Sequence, residues 1–116
     1  MNLSDFLLKN LFNVCMKYFL VLTSAMVFIL SDSLSAYWGK NGDFWSLASF
    51  VVIAPIGYLL FGILNRNTSL AVGSGLVNMV LIIGNVIVSL LYFSEKITLK
   101  ESFGLLLAFL AIILLG

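Results

Sequence analysis

One carboxylate stands inside an apolar run: Asp32, within YFLVLTSAMVFILSDSLSAYW at residues 18–38. Holding an ionised carboxylate in bilayer hydrocarbon costs about 2.5–3.5 kcal/mol on insertion scales, so an acid retained there is a candidate for proton or cation handling. The competing reading ends the apolar run at Leu30 and leaves Asp32 at the membrane interface, between Ser31 and Ser33. A second set of polar groups lies in a later apolar run. Ser74, Asn78, Asn85 and Ser89 follow one another at steps of four, seven and four, which places them on one helical face. Such a stripe supplies hydrogen bonds to a polar cavity, or it joins helices in lipid, with Gly73, Gly75 and Gly84 allowing close approach. Gly73-Ser74-Gly75 is not a nucleotide loop, because no strand precedes it and Asn78 stands where a third glycine belongs.

The rest of the chemical inventory is thin. The chain has 116 residues, 62% hydrophobic and 9% charged, well short of the roughly one-quarter charged residues of a soluble surface. It reads as an integral membrane protein. The net charge of +1 and the absence of a basic run leave no footprint for nucleic acid. With no His and with Cys15 as the single cysteine, no Cys/His metal site or intramolecular disulfide is available. Metal, triad and phosphate-loop chemistries lack their residues, so neither an enzyme nor a cofactor is expected. Transport or an accessory membrane role remains.

The elements that must position Asp32 and the polar stripe read as four all-α spans behind an N-terminal segment. Over residues 1–17, Leu3, Leu7, Leu11, Val14 and the following Tyr18 share one face while Asp5, Lys9, Asn13 and Lys17 recur every four residues on another. This predicts a short amphipathic helix at the interface, or an extension of the first span into the headgroups. Residues 18–116 then form the transmembrane domain. The first span is 18–38. A secretory signal is an alternative for this region, with Lys9 and Lys17 ahead of the apolar core and Ser33-Leu34-Ser35 as a cleavage site. Gly39 to Asp43 reads as a turn, flanked by Trp38 and Trp45 at the interface. The second span, 44–64, contains Pro55, which removes a backbone hydrogen bond and predicts a kink. Asn65-Arg66-Asn67-Thr68 is the next loop, and residues 69–93 run uncharged as the third span.

Ser94-Glu95-Lys96 then turns the chain, with Glu95 expected in solvent, and Thr98-Leu99-Lys100-Glu101 has the form of a capping box opening the fourth helix. Counted from Ile97 that helix reaches about 30 Å; counted from Ser102 it is short for a bilayer. Four spans put Lys9, Lys17 and Arg66 on one side and Lys40, Lys96 and Lys100 on the other. The positive-inside rule then gives no orientation, as in a chain that inserts both ways.

The four spans, the turn Leu91-Tyr92-Phe93-Ser94-Glu95-Lys96-Ile97-Thr98 and the last span with Gly104 resemble the small multidrug resistance proteins and, more broadly, the drug/metabolite transporter superfamily. The likeness covers residues 18–116, and the turn is its most specific part. It implies a four-helix protomer that dimerises, often antiparallel, around a midplane pocket exchanging protons for cationic compounds. Laid on that pattern without gaps, the first-span glutamate falls at Phe28, with Asp32 one turn further along the same face. The third-span aromatic pair falls at Ser74 and Val77, and the fourth-span dimer glycines at Gly104 and Ala111. Lipid-linked sugar flippase subunits of the same superfamily also lack the glutamate.

The sequence therefore predicts a dimeric membrane transporter, of one chain or two related chains, in a bacterial or archaeal cytoplasmic membrane. Asp32 would carry the proton or the cation, Ser74, Asn78 and Asn85 would hydrogen-bond the substrate, and Gly104 and Ala111 would pack the dimer. A flippase subunit and a non-transporting accessory protein are the alternatives.

Overall fold

The computed structural model of the chain describes residues 2–66 and 68–115, the last without its side chain. It is all-helical: α1 (Leu3–Asn41), α2 (Phe44–Leu64), α3 (Leu70–Leu91) and α4 (Leu99–Leu115). Three of these, α1, α2 and α3, are long and apolar enough to cross a membrane, which marks the chain as an integral membrane protein. At 17 residues, α4 rises about 25 Å, a few ångströms less than the hydrocarbon layer.

The amphipathic N-terminal segment is not a separate element. It is the first half of α1, whose 39 residues form one helix. The reason is local: no Gly or Pro occurs between residues 2 and 38, and sharp bends in helices are almost always made by those residues or by inserted groups. Asn2 caps the helix, its side-chain oxygen accepting from the Asp5 amide at 2.9 Å. The packed part of α1 begins at Leu20, the first buried residue. Residues 3–19 extend past the bundle by about 25 Å, which accounts for the 58 Å long axis.

The expected turn at 39–43 is also shorter than its composition implied, because α1 continues through Gly39 and Lys40 to Asn41. Gly42 ends it at φ 67°, in the left-handed region open to glycine, and its amide returns to the Trp38 carbonyl at 2.7 Å. Asp43 then opens α2 and accepts the Ser46 hydroxyl at 2.8 Å. Pro55 lies inside α2, which runs as a single helix past it. Of the second loop, Asn67 lies outside the described residues, as do Met1 and Gly116 of the terminal segments. Ser69 caps α3 through the Val72 amide. At α4 the capping box closes reciprocally, the Glu101 amide donating to Thr98 Oγ1 at 3.1 Å and the Thr98 amide to Glu101 Oε2 at 3.4 Å.

α1 is the central helix, packed by α2 on one side and α3 on another, while α4 reaches the bundle through α3. The core is small: Leu20, Val21 and Ala25 of α1, Leu64 of α2 and Val77 of α3. Two glycines set how closely the helices approach. A Cβ on Gly57 would stand 3.0 Å from the Phe28 ring, and one on Gly84 would collide with Ile29. Small residues at helix contacts are the usual device in lipid, where apolar burial gives little drive and van der Waals packing must supply it.

Candidate functional site

Asp32 lies on the flank of α1 that faces α3, and its depth follows from aromatic contacts with α2. Trp38 lies tilted against Phe50, with ring centroids 6.3 Å apart, and Phe28 meets Tyr58 at 5.0 Å and Phe61 at 6.4 Å. Between these contacts, Asp32 is level with about Pro55, the middle of α2. On α3 its level is that of Asn85, about 7 Å beyond the helix centre. The carboxylate thus stands beside the middle of α2 and the second half of α3 rather than beyond the ends of these helices.

The serines that flank the acid do not serve it. Ser31 Oγ donates to the Val27 carbonyl at 2.9 Å and Ser33 Oγ to the Ile29 carbonyl at 2.7 Å, so each is satisfied on its own helix. Asp32 instead accepts from across the bundle. Asn85 Nδ2 donates to Asp32 Oδ2 at 2.9 Å, a charge-assisted contact when the carboxylate is ionised.

Two clefts meet at Asp32. The first, about 390 Å³, holds Asp32, Ser35, Asn85, Ser89, Phe93 and Glu95. The second, about 270 Å³, holds Asp32 with Phe28, Tyr58, Phe61, Ser74 and Asn78. All four residues expected to form the site therefore gather around one point, with Asn85 bonded to the acid and Ser74 and Asn78 sharing its smaller cleft. Asp32 remains exposed on the open side of the bundle. Gly104 and Ala111 are exposed on α4 and line neither cleft; Gly104 edges a groove between α3 and α4 shared with Asn85 and Ser89.

The sequence reading missed the aromatic lining. No aromatic stands at Ser74 or Val77, but Phe28, Tyr58 and Phe61 wall the smaller cleft from α1 and α2. Tyr58 and Phe61 are three apart on α2, a spacing that gave a usable sign of a shared face, but no sign of which neighbour that face meets.

Glu95 was also underrated. After α3 the chain doubles back: Ser94 takes φ 54°, a left-handed geometry uncommon for a residue with a Cβ, and the Glu95 amide donates to the Ser89 carbonyl at 3.0 Å. The Glu95 side chain thereby returns over the last turn of α3. Its Oε2 accepts the Ser89 hydroxyl at 2.6 Å and its Oε1 pairs with Lys40 Nζ at 2.7 Å. The Lys40 ammonium, then the Ser89 hydroxyl, hold this carboxyl below its ordinary range. Glu95 is solvent-exposed as expected, and it also lines the cleft of Asp32.

Two buried polar atoms, Ser24 Oγ and Asn65 Oδ1, have no hydrogen-bond partner among the described residues. Asn65 lies against Gly73, where any side chain would collide with its amide. Among the described residues no group of three His, Cys, Asp or Glu side chains is placed to hold a metal ion. No protein-family model, curated protein or solved structure matches this chain.

Proposed function

We propose that the chain is a small multi-pass transporter of the drug/metabolite transporter type, a four-span protomer of a dimer, in a bacterial or archaeal cytoplasmic membrane. Asp32 is the group that takes up a proton or pairs with a small cationic or amphipathic compound, and no enzymatic step or cofactor is involved. The observation that carries this reading is the setting of Asp32: a carboxylate level with the middle of α2, held by the Asn85 hydrogen bond, where two clefts of mixed polar and apolar lining meet. Intramembrane acids beside cavities commonly mark ion and substrate routes.

The wall around the acid fits such a substrate. Phe28, Tyr58 and Phe61 offer ring faces and edges to an organic cation, while Ser74 and Asn78 offer hydrogen bonds. The dimer follows from the openness of the site. A single chain leaves Asp32 exposed on one side, whereas related transporters enclose their sites at the interface between two similar halves. The partner is a second copy or a related small membrane protein, and α4, attached mainly through α3, leaves Gly104 and Ala111 exposed to meet it.

The test is proton-coupled current in proteoliposomes across a panel of organic cations that includes guanidinium compounds, with wild type compared with Asp32→Asn. Current in the wild type that disappears in the variant supports the reading. Equal current in both removes Asp32 from the mechanism, and no current in either shifts the assignment to a flippase subunit or to an accessory protein.

A further inference from the structure

The Lys40 ammonium is seated in a small cradle at the end of the bundle. Glu95 Oε1 lies 2.7 Å from Lys40 Nζ, and the Phe93 ring centroid lies 5.5 Å from the same nitrogen. The second carboxylate oxygen is fixed by the Ser89 hydroxyl at 2.6 Å, so the carboxylate keeps one oxygen turned to the cation. A carboxylate beside an aromatic ring is the chemistry that recognises alkylammonium ions, by charge on one side and by the ring's electron-rich face on the other.

The cradle is also placed on a route. Glu95, Phe93 and Ser89 line the same cleft, about 390 Å³, as Asp32 and Asn85. A cation released from Glu95 into that cleft meets Asp32 as the next carboxylate. Lys40 itself belongs to the last turn of α1, on a long stem that can swing away into water. Both members of the pair are about half exposed, and exposed ion pairs contribute little to stability, so exchanging one cation for another at Glu95 is inexpensive.

We propose that Glu95, Phe93 and Ser89 form an outer binding site for organic ammonium ions at the mouth of the Asp32 cleft, with the Lys40 ammonium as its built-in competing occupant. The site deepens the transporter reading, on which its role in uptake toward Asp32 rests, but it binds cations independently of Asp32. Lys40 then acts as a selectivity device: an entering cation must displace it, which favours permanently charged or strongly basic compounds over weakly interacting ones.

The experiment is equilibrium binding of benzyltrimethylammonium to the purified full chain in nanodiscs, read by calorimetry rather than by flux. Lys40→Met frees the cradle, and if Lys40 occupies it nine-tenths of the time the apparent affinity rises about tenfold. That gain is lost in Lys40→Met/Glu95→Gln and retained in Lys40→Met/Asp32→Asn. Phe93→Leu on the Lys40→Met background weakens binding by about two- to fivefold.

Unchanged affinity in Lys40→Met, gain retained without Glu95, or gain lost with Asp32→Asn each overturns the proposal. The unsubstituted protein provides a check that does not depend on variants folding. With its lysines carrying ¹³C-methyl groups, the Lys40 signal moves toward that of a free lysine as benzyltrimethylammonium is added, and a signal that stays fixed to saturation also overturns it. A positive result here with no proton-coupled current would leave the outer site standing and remove the transport mechanism alone.

Discussion

Asn85 on α3 donates its side-chain amide to the Asp32 carboxylate on α1 at 2.9 Å, across 53 positions of sequence. This one bond ties the acid of the first helix to the polar stripe of the third. It also orients the carboxylate between its two clefts. Interhelical hydrogen bonds in membranes contribute about 0.6 kcal/mol on average and up to about 1.7 kcal/mol. A double-mutant cycle of Asp32→Asn and Asn85→Leu, read by reversible unfolding in mixed micelles, should give a coupling energy of about 0.5–1.5 kcal/mol. A coupling near zero would mean that the two side chains do not meet in the membrane.

The contact between Gly84 and Ile29 predicts a steric effect of known sign. Any Cβ at position 84 collides with the Ile29 side chain, and forcing extra volume into packed contacts typically costs about 1–3 kcal/mol. Gly84→Leu should lower the thermal midpoint of the detergent-solubilised protein, and Ile29→Ala on that background should recover much of the loss. Failure of the rescue would place the clash elsewhere.

The reciprocal cap at Thr98 and Glu101 predicts the behaviour of α4. Removing an N-cap hydroxyl costs about 0.5–2 kcal/mol, and α4 has only α3 as a firm neighbour. Thr98→Ala should therefore speed amide exchange in the first turn of α4 while leaving α2 unaffected. Equal protection of the two proteins would show that the cap adds nothing to the packing.

Glu95 gives a pH dependence whose sign can be worked out. Its carboxyl is held below the ordinary range, by Lys40 first and Ser89 second. A carboxylate depressed in the folded state contributes stability above its unfolded value, and that contribution is lost as pH falls through the lower folded value. Acidification into that range should loosen the turn between α3 and α4, seen as faster amide exchange around Phe93–Lys96. In Lys40→Met the same loosening should begin at a higher pH. A carboxyl resonance of Glu95 that titrates in the ordinary range would contradict the ion pair.

Cys15 tests the continuity of α1. It lies 17 positions before Asp32, about 25 Å along an unbroken helix, which puts it outside the hydrocarbon if Asp32 lies in mid-membrane as proposed. A membrane-impermeant maleimide should label Cys15 in liposomes from one face, and should fail to label a cysteine placed at Phe28 in a Cys15→Ser background. Labelling of neither position would mean that the first half of α1 lies within the bilayer.

How far the sequence reached can be followed residue by residue. The second span was legible to its ends because Phe44 to Leu64 is an uncharged, mostly apolar run between Asp43 and Asn65, and the fourth helix because Thr98 and Glu101 stand at capping-box spacing. These are local effects, set by transfer of side chains into lipid and by hydrogen bonds within a single turn. The polar stripe of α3 was equally legible, since helical periodicity alone puts Ser74, Asn78, Asn85 and Ser89 on one face. Composition misled where it met helix propagation: Gly39 and Lys40 read as turn residues, but the helix continues until Gly42 supplies a left-handed end.

What only the tertiary structure decided is which faces meet. The level of Asp32 along α2 depends on where α2 lies against α1, fixed by Phe28 against Gly57 and Tyr58. The choice of Asn85 rather than Asn78 as its partner depends on the register of α1 on α3, set where Gly84 admits Ile29. The return of Glu95 over Ser89 depends on a single left-handed residue, Ser94. Periodicity determines the direction in which a side chain leaves its own helix. It holds no record of the neighbouring helix, because register between helices is fixed by contacts between residues far apart in the chain.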